Sequence, residues 1–246
     1  MRQRVLGSFV LVPGTSCGAW VWRRLSPLLR AAGYDVYPLT LTGLGANSHL
    51  LPKIDRVSLA THIEDVASLL FYEDLSDVVL VGNSYAGMVI TGVAAKEPRR
   101  LAHIVYFDAY VPFEGENEMS LWPPEEQARV KAEIAKANRF RPLPPNFPVF
   151  LGISDPKLAE WVQARLTPHP ISTYEDPPPL GGPESSSVPR SFISCTEGPF
   201  GAPLFATFAS RARKLGWKVY DLKAGHAAML THPRESADIL LRIASG

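Results

Sequence analysis

Cysteine is scarce: Cys17 and Cys195 are the only two in 246 residues. That excludes a disulfide framework and a cysteine-built metal set, and no metal or other cofactor is implied. An excess of either charge is missing too. Lys and Arg number 25 against 24 Asp and Glu, which leaves no global field to draw nucleic acid or an anionic membrane surface. The expected partner is therefore a small molecule. No apolar run approaches the ~20 residues needed to cross a bilayer. The start, MRQR before VLGSFVLV, has the outline of a secretion signal, but its apolar stretch is short, Gly7 and Ser8 interrupt it, and no small-residue cleavage site follows. A soluble cytoplasmic protein is the expectation.

What the chain does have is a recurrence of short apolar runs rich in β-branched and aromatic residues: Phe9 to Val12, Asp35 to Leu39, Val78 to Val81, His103 to Phe107, Ser191 to Cys195 and Lys218 to Leu222. They lack polar alternation, as strands covered on both faces do. Helical patterns separate most of them. These run from Trp20 to Ala32 before Gly33, from Thr61 to Tyr72 with a capping-box-like Thr61 and Glu64, from Tyr85 to Lys96 before Pro98, and from Leu204 to Leu215 before Gly216. The alternation predicts an α/β fold with a doubly wound, mostly parallel sheet.

From about Pro112 to Pro189 the rhythm breaks. This stretch is proline-rich, with helical segments at Glu125 to Asn138 and Lys157 to Leu166 and an extended return, PPPLGGPESSSVP, from Pro177 to Pro189. It reads as an insertion, residues 112–189, between two core parts, 1–111 and 190–246. Long insertions inside compact domains are usually functional, so a helical lid over a site is favoured above an idle excursion.

The chemistry sits at the ends of the apolar runs. DVVLV is followed by Gly82-Asn83-Ser84-Tyr85-Ala86-Gly87 and then at once by a helix. A nucleophile elbow turns so sharply that it needs small residues two before and two after the serine, which Gly82 and Ala86 supply. Near the end, Lys223-Ala224-Gly225-His226 follows the last run. A histidine there reaches the same carboxyl edge of the sheet and can act as base for Ser84. His49, His62, His103, His169 and His232 lack that placement and read as structural or solvated. The loop Pro13-Gly14-Thr15-Ser16-Cys17-Gly18 has no G-K-[ST] closing it, so it is not a phosphate loop. It is either a simple glycine-rich turn or one half of an oxyanion hole, with the N–H groups of Thr15 and Tyr85 as donors.

Taken together, VPGTSCGAWVWRRLSPLLRAAGYDVYPLTLTGLGANSHL, GNSYAG, FDAYVP and GHAAMLTHP resemble the α/β-hydrolase family that includes plant methyl-salicylate esterase, polyneuridine aldehyde esterase and the plant hydroxynitrile lyases. The resemblance spans both core parts and is loose in the insertion. Pro13 departs from it, since the family usually has His there. Similar lyases carry Thr at the position of Gly14 and Lys at that of Ala227, so the resemblance implies hydrolysis rather than cyanohydrin cleavage. Ser84 likewise differs from the aspartate nucleophile of similar dehalogenases and epoxide hydrolases.

For the acid the resemblance offers two places. The plant esterases carry it in a CTED-like segment, matched here by Cys195-Thr196-Glu197-Gly198, where Gly198 holds the expected position and Glu197 is its neighbour. Similar haloalkane dehalogenases carry it after the strand preceding the lid, where this chain has Asp108. Asp108 is favoured over Glu197, with a plain strand-end cap as the alternative role. Gly14, Trp122, Phe150, Trp161 and Met229 are candidates for lining the substrate pocket. The expected activity is that of a serine carboxylesterase acting on small hydrophobic esters without a cofactor. Hydrolysis of a lactone, thioester, amide or carbon–carbon bond, and a noncatalytic ligand receptor, are the other readings. The resemblance also allows a homodimer built around the lid.

Overall fold

The computed structural model describes residues 6–54, 56–136, 139–141, 143, 146–198 and 204–246. The basic start MRQR and the pair Ala137–Asn138 lie outside them. In chain order the strands are β1 (Ser8–Val12), β2 (Asp35–Pro38), β3 (Val78–Ser84), β4 (Leu101–Ala109), β5 (Phe140–Arg141), β6 (His169–Pro170), β7 (Arg190–Cys195) and β8 (Lys218–Leu222). Six of them form one sheet in the order β2-β1-β3-β4-β7-β8, every neighbouring pair parallel. β5 and β6 pair antiparallel outside it. All six apolar runs become sheet strands, shifted at their ends by no more than a few residues.

The strands alternate which side they feed. Val10, Val12, Val78, Leu80, Ile104 and Tyr106 pack into one buried cluster. Phe9, Leu11, Val79, Val81, Val105 and Phe107 pack into the other. A strand with apolar residues at every position must be covered on both faces. α1 (Ser26–Ala31), α2 (Leu59–Tyr72), α3 (Ala86–Lys96), α4 (Pro124–Ala135), α5 (Phe147–Phe150), α6 (Pro156–Gln163), α7 (Pro183–Ser187), α8 (Ala206–Lys214), α9 (Ala228–Thr231) and α10 (Pro233–Ala244) follow in chain order. Residues of α2, α3 and α8 complete the first cluster, and those of α1 and α10 the second.

Three local expectations need correction. Trp20 to Ala32 is not one helix but a 3-10 turn, Ala19–Trp22, followed by α1. Pro27 has no N–H to give the carbonyl one turn back, so the helix restarts around it. The capping box of α2 lies three residues earlier than expected: the Thr61 N–H donates to Ser58 Oγ (3.4 Å) and the Ser58 N–H to Thr61 Oγ1 (3.2 Å). Glu64 instead forms an ion pair with Lys96. Third, the Pro177 to Pro189 return contains the short helix α7, begun by Pro183, whose fixed φ suits a first helical position. In the inserted stretch the two expected helices appear as α4 and α6.

The strand order places the site. β1 lies one strand in from the edge; from it the chain runs outward to β2, then crosses back past β1 to β3 and continues the other way. The connections leaving β1 and β3 therefore diverge to opposite faces, and the crevice between their carboxyl ends is where open parallel sheets bind ligands.

Candidate active site

Ser84 is the last residue of β3 and has φ 57°, the left-handed region that side chains avoid. The turn forces it: β3 must reverse into α3 within one residue. The turn tolerates no bulk around it. A Cβ on Gly82 would stand 2.8 Å from the Ala86 carbonyl oxygen, and one on Gly87 only 2.0 Å from that of Tyr110. Gly87 is thus the glycine that lets α3 press against the chain leaving β4, which is why Ala86 suffices at the other small position.

β4 carries a matching distortion. Its register with β3 runs Asn83–Phe107 and then Ser84–Ala109, so Asp108 is an extra residue with φ 46°. A bulge of this kind re-aims a side chain. Asp108 is fully buried, with Oδ1 accepting the Cys195 N–H (3.2 Å) and Oδ2 lying 2.6 Å from His226 Nδ1. Burial raises its carboxyl pKa, against the pull of His226 and the Cys195 N–H. His226 is buried as well and stacks on Phe205, with centroids 4.7 Å apart and planes at 18°. Glu197 is exposed, and its N–H donates to the Ala224 carbonyl.

Two histidines read from sequence as structural or solvated sit behind this arrangement. His62 Nε2 faces the Thr42 carbonyl (2.9 Å) and must donate to it, so Nδ1 accepts the Tyr85 hydroxyl (2.7 Å). His169 Nδ1 accepts the Ser16 N–H (3.0 Å), which leaves its Nε2–H for Thr173 Oγ1 (2.9 Å). Both rings are neutral: burial pushes His62 down to about 4 and His169 well below the usual imidazole range. The first fixes the residue after Ser84. The second fixes the turn of Gly14 to Cys17, closed by the Cys17 N–H on the Gly14 carbonyl (3.2 Å) and with Ser16 at φ 64°. Their only sequence signal was histidine within apolar surroundings, which does not distinguish support from packing.

Ser84, His226, Gly14, Thr15, Trp122, Phe150 and Met229 all line one cavity of about 390 Å³. Tyr85 is buried beside it. Trp161 is elsewhere and must be withdrawn from the pocket: it packs on Trp20 (5.5 Å) between Arg23 and Arg165, and lines a separate surface recess with Asp155 and Lys157. Nor is the wall contributed by residues 112–189 simply apolar. Glu118, Glu126, Arg129 and Arg141 line it beside Trp122, with both arginines bonded to Glu126. Spread over residues 118–141, these side chains carry no motif that marks them as sharing a cavity. Among the described residues no group of three or more His, Cys, Asp or Glu is placed to hold a metal, and no helix is long and apolar enough to cross a membrane.

The profile of the alpha/beta hydrolase family matches residues 9–239. The carbendazim hydrolyzing esterase of Nocardioides sp. (strain SG-4G) is 36% identical over 246 aligned residues, covering 96% of this chain and 98% of that protein. Polyneuridine aldehyde esterase of Rauvolfia serpentina is 28% identical over 256, covering 96% and 94%. Among solved structures, an extracellular alpha/beta-hydrolase from a Paenibacillus species superimposes with a TM-score of 0.80 at 25% identity, covering 96% of this chain and 98% of that one. With a profile match over nearly its whole length and a relative 36% identical across 96% of it, the chain belongs to the alpha/beta hydrolase family.

Proposed function

We propose that this chain is a serine carboxylesterase in which Ser84 is the nucleophile, His226 the general base and Asp108 the carboxylate that orients it. The observation that carries the reading is the 2.6 Å bond between His226 Nδ1 and Asp108 Oδ2, in a cavity that Ser84 also lines. With Nδ1 committed to Asp108, Nε2 is the nitrogen left to take the serine proton. Ser84 Oγ attacks the ester carbonyl, and the Thr15 and Tyr85 N–H groups receive the oxyanion, worth on the order of 3 kcal/mol per donor. The imidazolium gives its proton to the leaving alcohol. Water, deprotonated by the same histidine, then releases the acid. Cys17 lines the same cavity but does not compete, because burial pushes its thiol up to about 12 and withholds the thiolate.

Residues 112–189 act in this reading as a lid. Ser84 is 8% exposed and His226 2%, and the low dielectric this implies strengthens every charge contact in the site. A cavity of about 390 Å³ suits a drug-sized or smaller ester rather than a polymer. Esterase relatives along the full chain support the reaction class. The test is hydrolysis of p-nitrophenyl esters from acetate to decanoate, and of carbendazim, by wild type and Ser84→Ala. Turnover of at least one ester that vanishes in the variant is expected; equal turnover by the two proteins, or none by the folded wild type, removes the proposal.

A further inference from the structure

The cavity holds one acidic group that the ester chemistry leaves unused. Glu118 lines it, is 2% exposed, and among the described residues its Oε2 has no hydrogen-bond partner. A buried polar atom left unbonded is costly, so each one in a native fold calls for a reason, a bound ligand among them. The donors near it, the Trp122 indole and Arg141, pull on the carboxyl but make their hydrogen bonds to other acceptors. The Trp122 indole N–H donates to the Tyr110 hydroxyl (3.1 Å). Arg141 is bonded to Glu126 and stacks over Trp122 at 4.9 Å, and Arg129 also spends its guanidinium on Glu126.

Building on the esterase reading, we infer that Glu118 forms a polar subsite that accepts an N–H of the substrate, so that the preferred esters carry a nitrogen heterocycle, amide or amine in place of plain hydrocarbon. A hydrocarbon or ether substituent would bury Glu118 Oε2 with no hydrogen bond donated to it. An N–H supplies the missing donor, and both cations on this wall are tied to Glu126, so an acidic acceptor is what the wall has left to offer.

The sign of the pH dependence separates this from the converse case, a ligand that accepts from Glu118. Burial pushes the Glu118 carboxyl up to about 8, against the pull of Arg141 and the Trp122 indole. The carboxylate is the stronger acceptor, so preference for an N–H ligand grows as pH rises through that value, whereas a ligand needing the acid's proton loses affinity there. The tyrosines and Arg141 that interact electrostatically with Glu118 keep their charge. Burial holds the Tyr85, Tyr110 and Tyr174 phenols above their usual range. Against the push of burial, the two arginines hold Glu126 below its own. Neutral His62 and His169 stay neutral.

The experiment is calorimetric binding to the Ser84→Ala protein, which holds its ligands without turnover, of methyl esters of the indolecarboxylic acids and of the benzofuran acids with the same substitution. The paired ligands differ by N–H against O. For at least one positional isomer the indole ester is expected to bind about tenfold tighter. That ratio rises as pH is taken through 8, persists in Glu118→Gln, which keeps an acceptor, and falls to about one in Glu118→Leu. Ratios near one at every isomer, a ratio falling with pH, or a preference surviving Glu118→Leu overturns the inference. Should Glu118→Leu fail to fold, the pH series on native Glu118 decides alone. Hydrolysis without this preference sinks only the subsite, and preference without hydrolysis by the wild type sinks only the esterase.

Discussion

Ser84 and Asp108 both stand in the left-handed region, at φ 57° and 46°, where a residue with a Cβ carries roughly 1–3 kcal/mol of strain. The β3–α3 turn and the β4 bulge hold them there, and both face the chemistry proposed for them. Asp108→Asn is expected to lower kcat by about 10³ to 10⁴ while leaving the fold intact, because the amide no longer holds the required tautomer of His226. Glu197→Gln stays within about twofold of wild type, as suits an exposed surface change. Steady-state kinetics on any accepted ester reads both, and the reverse ranking would return the acid to the strand after the insertion. Ser84 and His226 could be proposed from sequence because each is tied to a local motif, a G-x-S-x-A turn and a Gly-His after the last strand. The acid was legible only as a choice of two. What favours Asp108 in the proposal is a one-residue slip in the β3–β4 register, a property of strand pairing that no local sequence pattern records.

At the level of elements, the elbow depends on how closely α3 approaches the chain leaving β4. Gly87→Ala would put a methyl 2.0 Å from a backbone oxygen, an overlap no rotamer relieves. The expected cost is on the order of 3 kcal/mol or more, read as a lowered midpoint in thermal or urea unfolding; a variant as stable as wild type would mean that the two elements are not so closely packed. The loop after β1 leans on an acceptor in a distant segment, His169 Nδ1, for its Ser16 N–H. His169→Leu removes it and is expected to lower kcat by about tenfold or more with a smaller change in KM, since oxyanion donors act on the transition state; a change confined to KM would detach His169 from that loop. Strands and core helices were readable from their apolar periodicity. Residues 112–189 were readable only as helical and proline-rich. Their charged wall joins side chains between residues 118 and 141 that carry no common motif, and Trp161 was misplaced because an aromatic on a short amphipathic helix carries no mark of which surface it covers.

For the whole molecule, one six-stranded sheet with two buried faces makes the divergence of the β1 and β3 connections the place for the proposed site, and the buried ionisable groups around that point set how stability follows pH. His62 is depressed to about 4. It is neutral when folded and takes a proton when unfolded, so its contribution is lost as pH falls from 6.5 towards 4. Glu118 is raised to about 8 and acts in the opposite direction: the folded state binds the extra proton, and stability is lost as pH rises from 4.5 towards 8. Glu118→Gln is therefore expected to recover on the order of a few kcal/mol at the alkaline end of that window and little at its acid end. Urea unfolding at several pH values reads it, and a variant curve parallel to wild type would show that the carboxyl titrates normally. The central claim is a serine nucleophile at the end of β3, and its most direct test is treatment of wild type, Ser84→Ala and His226→Ala with a fluorophosphonate probe followed by peptide mass analysis. The account predicts one adduct per wild-type chain, on Ser84, none on Ser84→Ala, and strongly slowed labelling in His226→Ala. Folded wild-type protein that stays unlabelled, or an adduct on any other residue, would contradict it.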